Sequence, residues 1–291
     1  MSWRTVVISK RCKLDFSMGY MVVRGEETSR IFVDEIAMLI IENPAVSMTG
    51  CLLAELTNKK IRIIFCDEKR SPYGEIQPYY GCHDCSLKLK MQIAWTEEQK
   101  KNVWTEIVAE KIRNQAKLLR FIGAYKASEL LTQYLSEIQF GDETNREGHA
   151  AKVYFNALFG IDFSRGQDNP INAVLNYGYS LILSAFNREI TMNGYLTQIG
   201  LMHDSMFNPY NLSCDLMEAF RFAVDRECIE MNVKEFGKDE KYRILSMLHS
   251  SIKINGTEQT LLNAIKIYTK SVFNAINNDD LSLIRFASYE L

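Results

Sequence analysis

An α+β fold in two parts is predicted by three features of the 291-residue chain. Its first third consists of short runs rich in β-branched and aromatic residues, the composition of strands. From about Leu87 onward, apolar residues recur at every third or fourth position, the period of a helix. Between these regions Pro72, Gly74, Pro78 and Gly81 fall close together. Proline removes a backbone donor and fixes φ, and glycine admits φ > 0, so such a stretch sustains neither sheet nor helix for long. The chain thus reads as a strand-rich unit over 1–75, a connecting segment over 76–90 and a helical unit over 91–291. A chain of this length can bury two cores.

The elements follow in order. Residues 5–9, 20–24 and 30–33 read as strands, and the apolar run 37–41 as a further one. Phe16-Ser17-Met18-Gly19 and Gly25-Glu26-Glu27 are turn-prone separators. Residues 47–56 read as a short helix with Ser47 at its N-cap, and 61–65 as a buried strand. In the helical part, Leu87, Met91 and Trp95 repeat every fourth residue. Leu130, Leu131, Tyr134, Leu135 and Ile138 form one apolar stripe. Asn169-Pro170 opens a long apolar helix, Asn capping it and Pro occupying its first position. Further helices are expected near 213–226, 239–249 and 257–277.

Composition narrows the function classes. The formal net charge is −2, so there is no global electropositive footprint, and a nucleic-acid binder would need local clusters of Lys and Arg or a basic surface assembled by oligomerisation. No apolar run is long enough to span a bilayer, and no membrane partner is expected. The segment Met1 to Ile8 lacks the apolar core of a signal peptide, and seven scattered cysteines do not make a disulfide framework. A reducing cytoplasm is the expected location. There is no P-loop, no G-x-G-x-x-G and no G-x-S-x-G, which disfavours phosphate-cradle nucleotide hydrolysis and serine-hydrolase chemistry.

Four residues, Glu147, His203, Asp215 and Glu218, stand out as a set. Carboxylates and an imidazole presented by separate rigid helices can hold a divalent cation. Each also has a plainer reading. Thr144 followed by Glu147 is a capping-box pattern, in which Glu147 only satisfies a helix end. Asp215 and Glu218, three apart, share a helix face, yet acids in a first turn complement the helix dipole, Glu218 can pair with Arg221, and Phe222 suggests burial. His203 lies among apolar residues, where a packed histidine is the common case, and His149 would point away from Glu147. Cys82-His83-Asp84-Cys85 is half a zinc motif without a second pair, and reads as ordinary cysteines in a connecting segment. Lys111, Arg113, Lys117 and Arg120 cluster, with 113, 117 and 120 on one helix face. With Arg146 they are candidates for DNA phosphate contact, or else a solvated surface. Tyr177 and Tyr179 either line the site or pack.

The combination is more specific than its parts. Arg146-Glu147-Gly148 is followed by Asn172-Ala173-Val174-Leu175-Asn176-Tyr177-Gly178-Tyr179, then Gly200-x-x-His203, then Asp215-Leu216-x-Glu218-x-x-Arg221. With Trp3-Arg4-Thr5-Val6-Val7 and Ile64-Phe65-Cys66-Asp67-Glu68-Lys69 before Pro72, nearly the whole chain resembles the CRISPR adaptation integrase, in the version found in type II systems. The resemblance implies a small N-terminal β-sandwich-like domain that dimerises and a larger all-helical catalytic domain. It implies a homodimer, two of which flank a dimer of a smaller ferredoxin-like adaptation subunit in a hetero-hexamer, with the type II effector nuclease as a further candidate partner. By position, Glu147, His203 and Glu218 match the family's metal ligands, for Mg²⁺ or Mn²⁺, and Asp215 a nearby catalytic acid. Many relatives carry Asp-x-x-Asp where this chain has Asp215-x-x-Glu218, which leaves open which acid reaches the metal. The implied reaction is transesterification on double-stranded DNA, the 3′-hydroxyl of an incoming fragment attacking a phosphodiester at the edge of a CRISPR repeat.

Two rivals use the same residues. His203-Asp204 with His149 and Asp215 imitates the metal set of helical HD-type phosphohydrolases. In a non-catalytic DNA-binding scaffold, all these acids are structural.

Overall fold

The computed structural model describes residues 4–68, 70, 72–76 and 82–288. It separates into two compact units, Met1–Gly81 and Cys82–Leu291, and the division falls inside the connecting segment expected over 76–90.

The first unit holds two four-stranded sheets. One contains β1 (Arg4–Ile8), β5 (Ile36–Ile41), β7 (Arg62–Cys66) and β8 (Pro72–Ile76), in that order. β1, β5 and β7 run parallel, and β8 is antiparallel to β7. The unbroken apolar run of β5 follows from its place inside a parallel sheet, where both faces are covered. The other sheet is ordered β4 (Thr28–Phe32), β3 (Tyr20–Arg24), β2 (Lys13–Ser17), β6 (Ser47–Met48). Leu14 and Met21 from this sheet, Leu39 and Ile63 from the first, and Leu52 and Leu56 of helix α1 (Gly50–Asn58) belong to one buried cluster, so the sheets share a sandwich-like core.

Three expectations change here. β2 is an additional strand, joined to β3 by a two-residue turn in which Met18 and Gly19 both have positive φ (51° and 82°), as that hairpin requires. Helix α1 starts later than expected. Ser47 pairs with β2, and the cap is Thr49, whose hydroxyl accepts from Leu52 N at 3.3 Å. Pro72 and Gly74 do not end the sheet, because β8 lies at its edge and Pro72 at the strand's first position, where a missing donor costs little.

The second unit is helical: α2 (Cys85–Ile93), α3 (Glu97–Phe121), α4 (Tyr125–Glu137), α5 (Arg146–Phe159), α6 (Pro170–Met192), α7 (Asn211–Met217), α8 (Arg221–Met231), α9 (Lys238–Met247) and α10 (Leu261–Asn278). The long α3 is central, packing against α4, α5, α8 and α10, while α6 packs on α7, α8, α9 and α10. Asn169 caps α6 with Pro170 at its first turn, as expected. At Gly178 an added Cβ would lie 2.4 Å from Val224 Cγ1, so glycine lets α6 and α8 approach closely. The helix expected over 213–226 is broken by a 3-10 turn, Glu218–Phe220. The one expected over 257–277 begins at Leu261. Asn255 and Gly256, both at positive φ, turn β9 (Ser251–Ile254) into β10 (Thr257–Thr260), and β11 (Ala287–Ser288) completes a small antiparallel sheet added to the helical unit.

Candidate functional site

Four neighbouring elements carry the singled-out residues. Glu147 lies in the first turn of α5, Asp215 in α7, and Glu218 in the 3-10 turn after it. His203 lies in the segment between α6 and α7. Lys111, from the middle of α3, joins them.

Glu147 is not a cap. Asn145 caps α5, its Oδ1 accepting from Gly148 N at 3.1 Å. The buried Asp142 accepts from Arg146 N (2.8 Å) and Glu147 N (3.0 Å). With those amides satisfied by others, the Glu147 carboxylate turns to Lys111, whose ammonium donates to its Oε1. Thr144, expected to start a capping box, has no hydrogen-bond partner for its hydroxyl.

Glu218 is 4% exposed. Arg221 Nε donates to its Oε1 at 2.8 Å, and its Oε2 stands in ion-pair contact with the Lys111 ammonium but without hydrogen-bond geometry. Burial pushes this carboxyl up, but the fields of Lys111 and Arg221 outweigh it and hold it down at about 2. Lys111 answers in kind. Burial alone lowers its ammonium, and Glu218 and Glu147 more than reverse that. One ammonium therefore draws together two glutamates from separate helices.

Asp215 is fully buried, and its carboxylate is fully engaged. Oδ2 accepts from Leu201 N (2.5 Å) and Met202 N (3.2 Å), while Oδ1 accepts from His203 N (3.1 Å) and lies 2.6 Å from His203 Nδ1. Its four contacts hold the His203 ring and the backbone before it in place. The hydrogen bond with Asp215, then the fields of Asp215, Glu218 and Glu147 against some desolvation, raise the His203 pKa. Trp104 meets the imidazole edge-on at 5.9 Å.

The His203 segment is pinned by residues that carried no sequence signal. Buried Gln92 of α2 donates to Leu196 O and Ile199 O and accepts from Leu196 N, each at 2.9 Å. Asn211 donates to Gln198 O (3.1 Å) and Ser205 O (3.0 Å). Gly200 leaves no space for a side chain, since a Cβ would fall 2.3 Å from His203 O and 2.7 Å from Asp215 Oδ2. A lone buried Gln gives no hint of partners about a hundred residues away, and such pairs become visible only in the fold.

Other expected residues lie apart. Arg113, Lys117 and Arg120 share an exposed face of α3, with Arg113 paired to Glu110. Lys111 does not belong to that face. It is buried in the carboxylate cluster, so its expected role in surface phosphate contact is corrected. Arg146 pairs with Glu137 at 2.8 Å and stacks over Tyr134. Tyr177 and Tyr179 are packed, and Tyr179 donates to buried Asp225 beneath Arg221. Asp204 and His149, the rival ligands, are exposed and outside the cluster. Cys82 and Cys85 have sulfurs 3.4 Å apart, and Cys85 donates to Cys82 O; burial and then Asp84 and Cys85 push the Cys82 thiol up to about 12.

Among the described residues, no three His, Cys, Asp or Glu side chains stand as a ready-made ligand cage. At this cluster an ammonium lies between the two glutamates. The donor types still fit a divalent ion: two carboxylates, of which Glu218 keeps one buried oxygen without a hydrogen-bond donor, and one imidazole held by Asp215.

The family model for CRISPR associated protein Cas1 matches residues 5–246. The chain belongs to the Cas1 family. It is similar to the CRISPR-associated endonuclease Cas1 of Neisseria meningitidis, 35% identical over 91% of this chain and 89% of that one. Among solved structures it resembles a casposase bound to integration product, with a TM-score of 0.78 and 16% identity over 97% of this chain and 92% of that one. It also resembles a chain of a Cas6-RT-Cas1–Cas2 complex, with a TM-score of 0.76 and 17% identity, where 99% of this chain covers 36% of the longer one. These two likenesses extend the Cas1 fold across both units. No helix among the described residues is long and apolar enough to cross a membrane.

Proposed function

We propose that this Cas1-family chain is a divalent-metal-dependent DNA integrase of CRISPR adaptation that joins a DNA fragment to a CRISPR repeat by transesterification. The observation that carries the reading is the convergence of Glu147 and Glu218, from separate helices, on a single buried cation beside an imidazole. Glu147, His203 and Glu218 are the residues that would hold Mg²⁺ or Mn²⁺, and the imidazole makes Mn²⁺ the better fit. Such an ion, when bound, stabilises negative charge gathering on phosphate oxygens.

The chain's own residues do the positioning. Asp215 takes the Nδ1 proton of His203 as its hydrogen bond, which keeps that proton off Nε2, the nitrogen left for ligation. Arg221 keeps Glu218 ionised, so the carboxylate is ready at neutral pH. The exposed face of Arg113, Lys117 and Arg120 supplies sequence-independent phosphate contact that the net charge of −2 does not. No covalent protein–DNA link is required, because the DNA 3′-hydroxyl is itself the nucleophile.

The name of the Cas6-RT-Cas1–Cas2 complex supports a smaller Cas2-type, ferredoxin-like partner for this chain. The first unit is the proposed dimerisation module, giving two dimers around a dimer of that partner. The type II effector nuclease is a further proposed partner, and a chain with seven scattered cysteines suits a reducing cytoplasm.

The test is strand transfer on branched and repeat-containing DNA. Glu147→Ala, His203→Ala and Glu218→Ala are each expected to lower the rate by about 100-fold or more, and EDTA to abolish it. Variants with unimpaired transfer, or transfer that persists in EDTA, would refute the proposal. Asp204→Ala is expected to leave metal content unchanged, the reverse of the HD-phosphohydrolase expectation.

A further inference from the structure

We infer that Lys111 is a tethered substitute for the metal: its ammonium holds Glu147 and Glu218 together in the metal-free protein and is displaced when a divalent ion enters. The inference rests on the reading of the two glutamates as ligands.

The Lys111 side chain is only 7% exposed, and its ammonium touches both carboxylates. Without a counter-charge, the buried Glu218 carboxylate and the half-buried Glu147 carboxylate repel each other, and Glu218 loses its hydration, a cost of several kcal/mol. The protein meets that cost with a cation of its own. The fit is incomplete, however. The ammonium donates a hydrogen bond to Glu147, while Glu218 Oε2 gains its charge without a hydrogen bond. A second cation that coordinates both oxygens improves on that arrangement.

The charges also argue for exchange over coexistence. An ammonium plus a dication would put three positive charges against two carboxylates, one of which, Glu218, is already paired with Arg221. After Lys111 leaves, Arg221 still neutralises Glu218 at 2.8 Å, so the site does not come apart during exchange. Lysine is the suitable residue type. Its charge is compact and sits on a flexible four-carbon stem that can swing away, whereas the rigid arginine fork binds carboxylates more persistently.

The experiment is Mn²⁺ binding, followed by electron paramagnetic resonance of free Mn²⁺, to the full chain and to Lys111→Met and Lys111→Arg. Removal of the competing ammonium is expected to tighten binding on the order of tenfold or more, and the arginine to weaken it. If Lys111→Met does not fold, the wild type decides. Acetylation of Lys111, read by mass spectrometry, is expected to quicken several-fold when Mn²⁺ is added. Equal or weaker binding by a folded Lys111→Met, or labelling that is unchanged or slower while the wild type binds Mn²⁺, overturns the inference and leaves the ligand reading intact. A wild type that binds no Mn²⁺ overturns the ligand reading first and this inference with it.

Discussion

Replacing Asp215 with Asn alters one atom of a fully buried side chain and should disable the His203 segment. In the native protein both carboxylate oxygens are acceptors, for Leu201 N and Met202 N on one side and His203 N and Nδ1 on the other. An amide has one acceptor. If its oxygen faces Leu201 and Met202, its NH₂ meets the His203 amide, and the imidazole must accept at Nδ1 and move its proton to Nε2. If it is flipped, two backbone donors lose their acceptor. Either way, one or two hydrogen bonds to a charged group are lost, at about 1.5–3 kcal/mol each, for a total of about 1.5–6 kcal/mol. The proton on Nε2 would also remove that nitrogen from ligation, and loss of a residue that orients a metal-binding His costs about 10–100-fold in metal affinity. Urea unfolding monitored by tryptophan fluorescence measures the first effect, since Trp95 and Trp104 are buried in the helical unit and Trp104 touches His203. Mn²⁺ titration measures the second. A variant within about 0.5 kcal/mol of wild type, the range of a neutral surface change, with unchanged Mn²⁺ affinity would refute the role given to Asp215.

Burial holds Asp225 up at about 6, against the bonds from Tyr179 and Tyr154 that lower it. A raised carboxyl stabilises the fold below its unfolded pKa of about 3.9, and that contribution is lost as pH climbs through about 6. Asp225→Asn should therefore flatten the pH dependence of urea stability between pH 4 and 7 by on the order of 2–3 kcal/mol relative to wild type. An identical slope in both proteins would rule this out. Gly178→Ala drives a Cβ into Val224 and should cost about 1–3 kcal/mol, seen as a lower urea midpoint, with Gly178→Ala/Val224→Ala recovering part of it. Replacing Arg113, Lys117 and Arg120 together by Ala should weaken binding to all duplex sequences alike and reduce the slope of log affinity against log salt by about 2–3. An unchanged slope would show that this face does not touch DNA.

Much of the fold was legible because it rests on local rules. The strand-rich start, the Asn169-Pro170 helix start and helix α4 all follow from propensity and period. The misreadings arose where two local signals competed. Ser47 read as the cap, but its pairing with β2 moves the helix start on, and Thr49 caps it. Residues 257–260 continue a helical pattern, but the Asn255-Gly256 turn claims them for a hairpin. Pro72 looked like the end of a sheet, and an edge position accommodates it.

For the site, sequence alone specified the chemical types and their order: two glutamates, an aspartate and a histidine, with a family resemblance that named them together. It could not assign their work. That Glu147 is freed from capping follows from Asp142 and Asn145, and that Asp215 serves the histidine follows from three backbone amides turned toward it. The most consequential correction is Lys111, read as one basic residue among several on a helix surface and found as the charge that binds two acids together. Local sequence records which groups a chain carries. Which of them face one another, and so which charges must be answered, depends on long-range packing, and only the folded chain decides it.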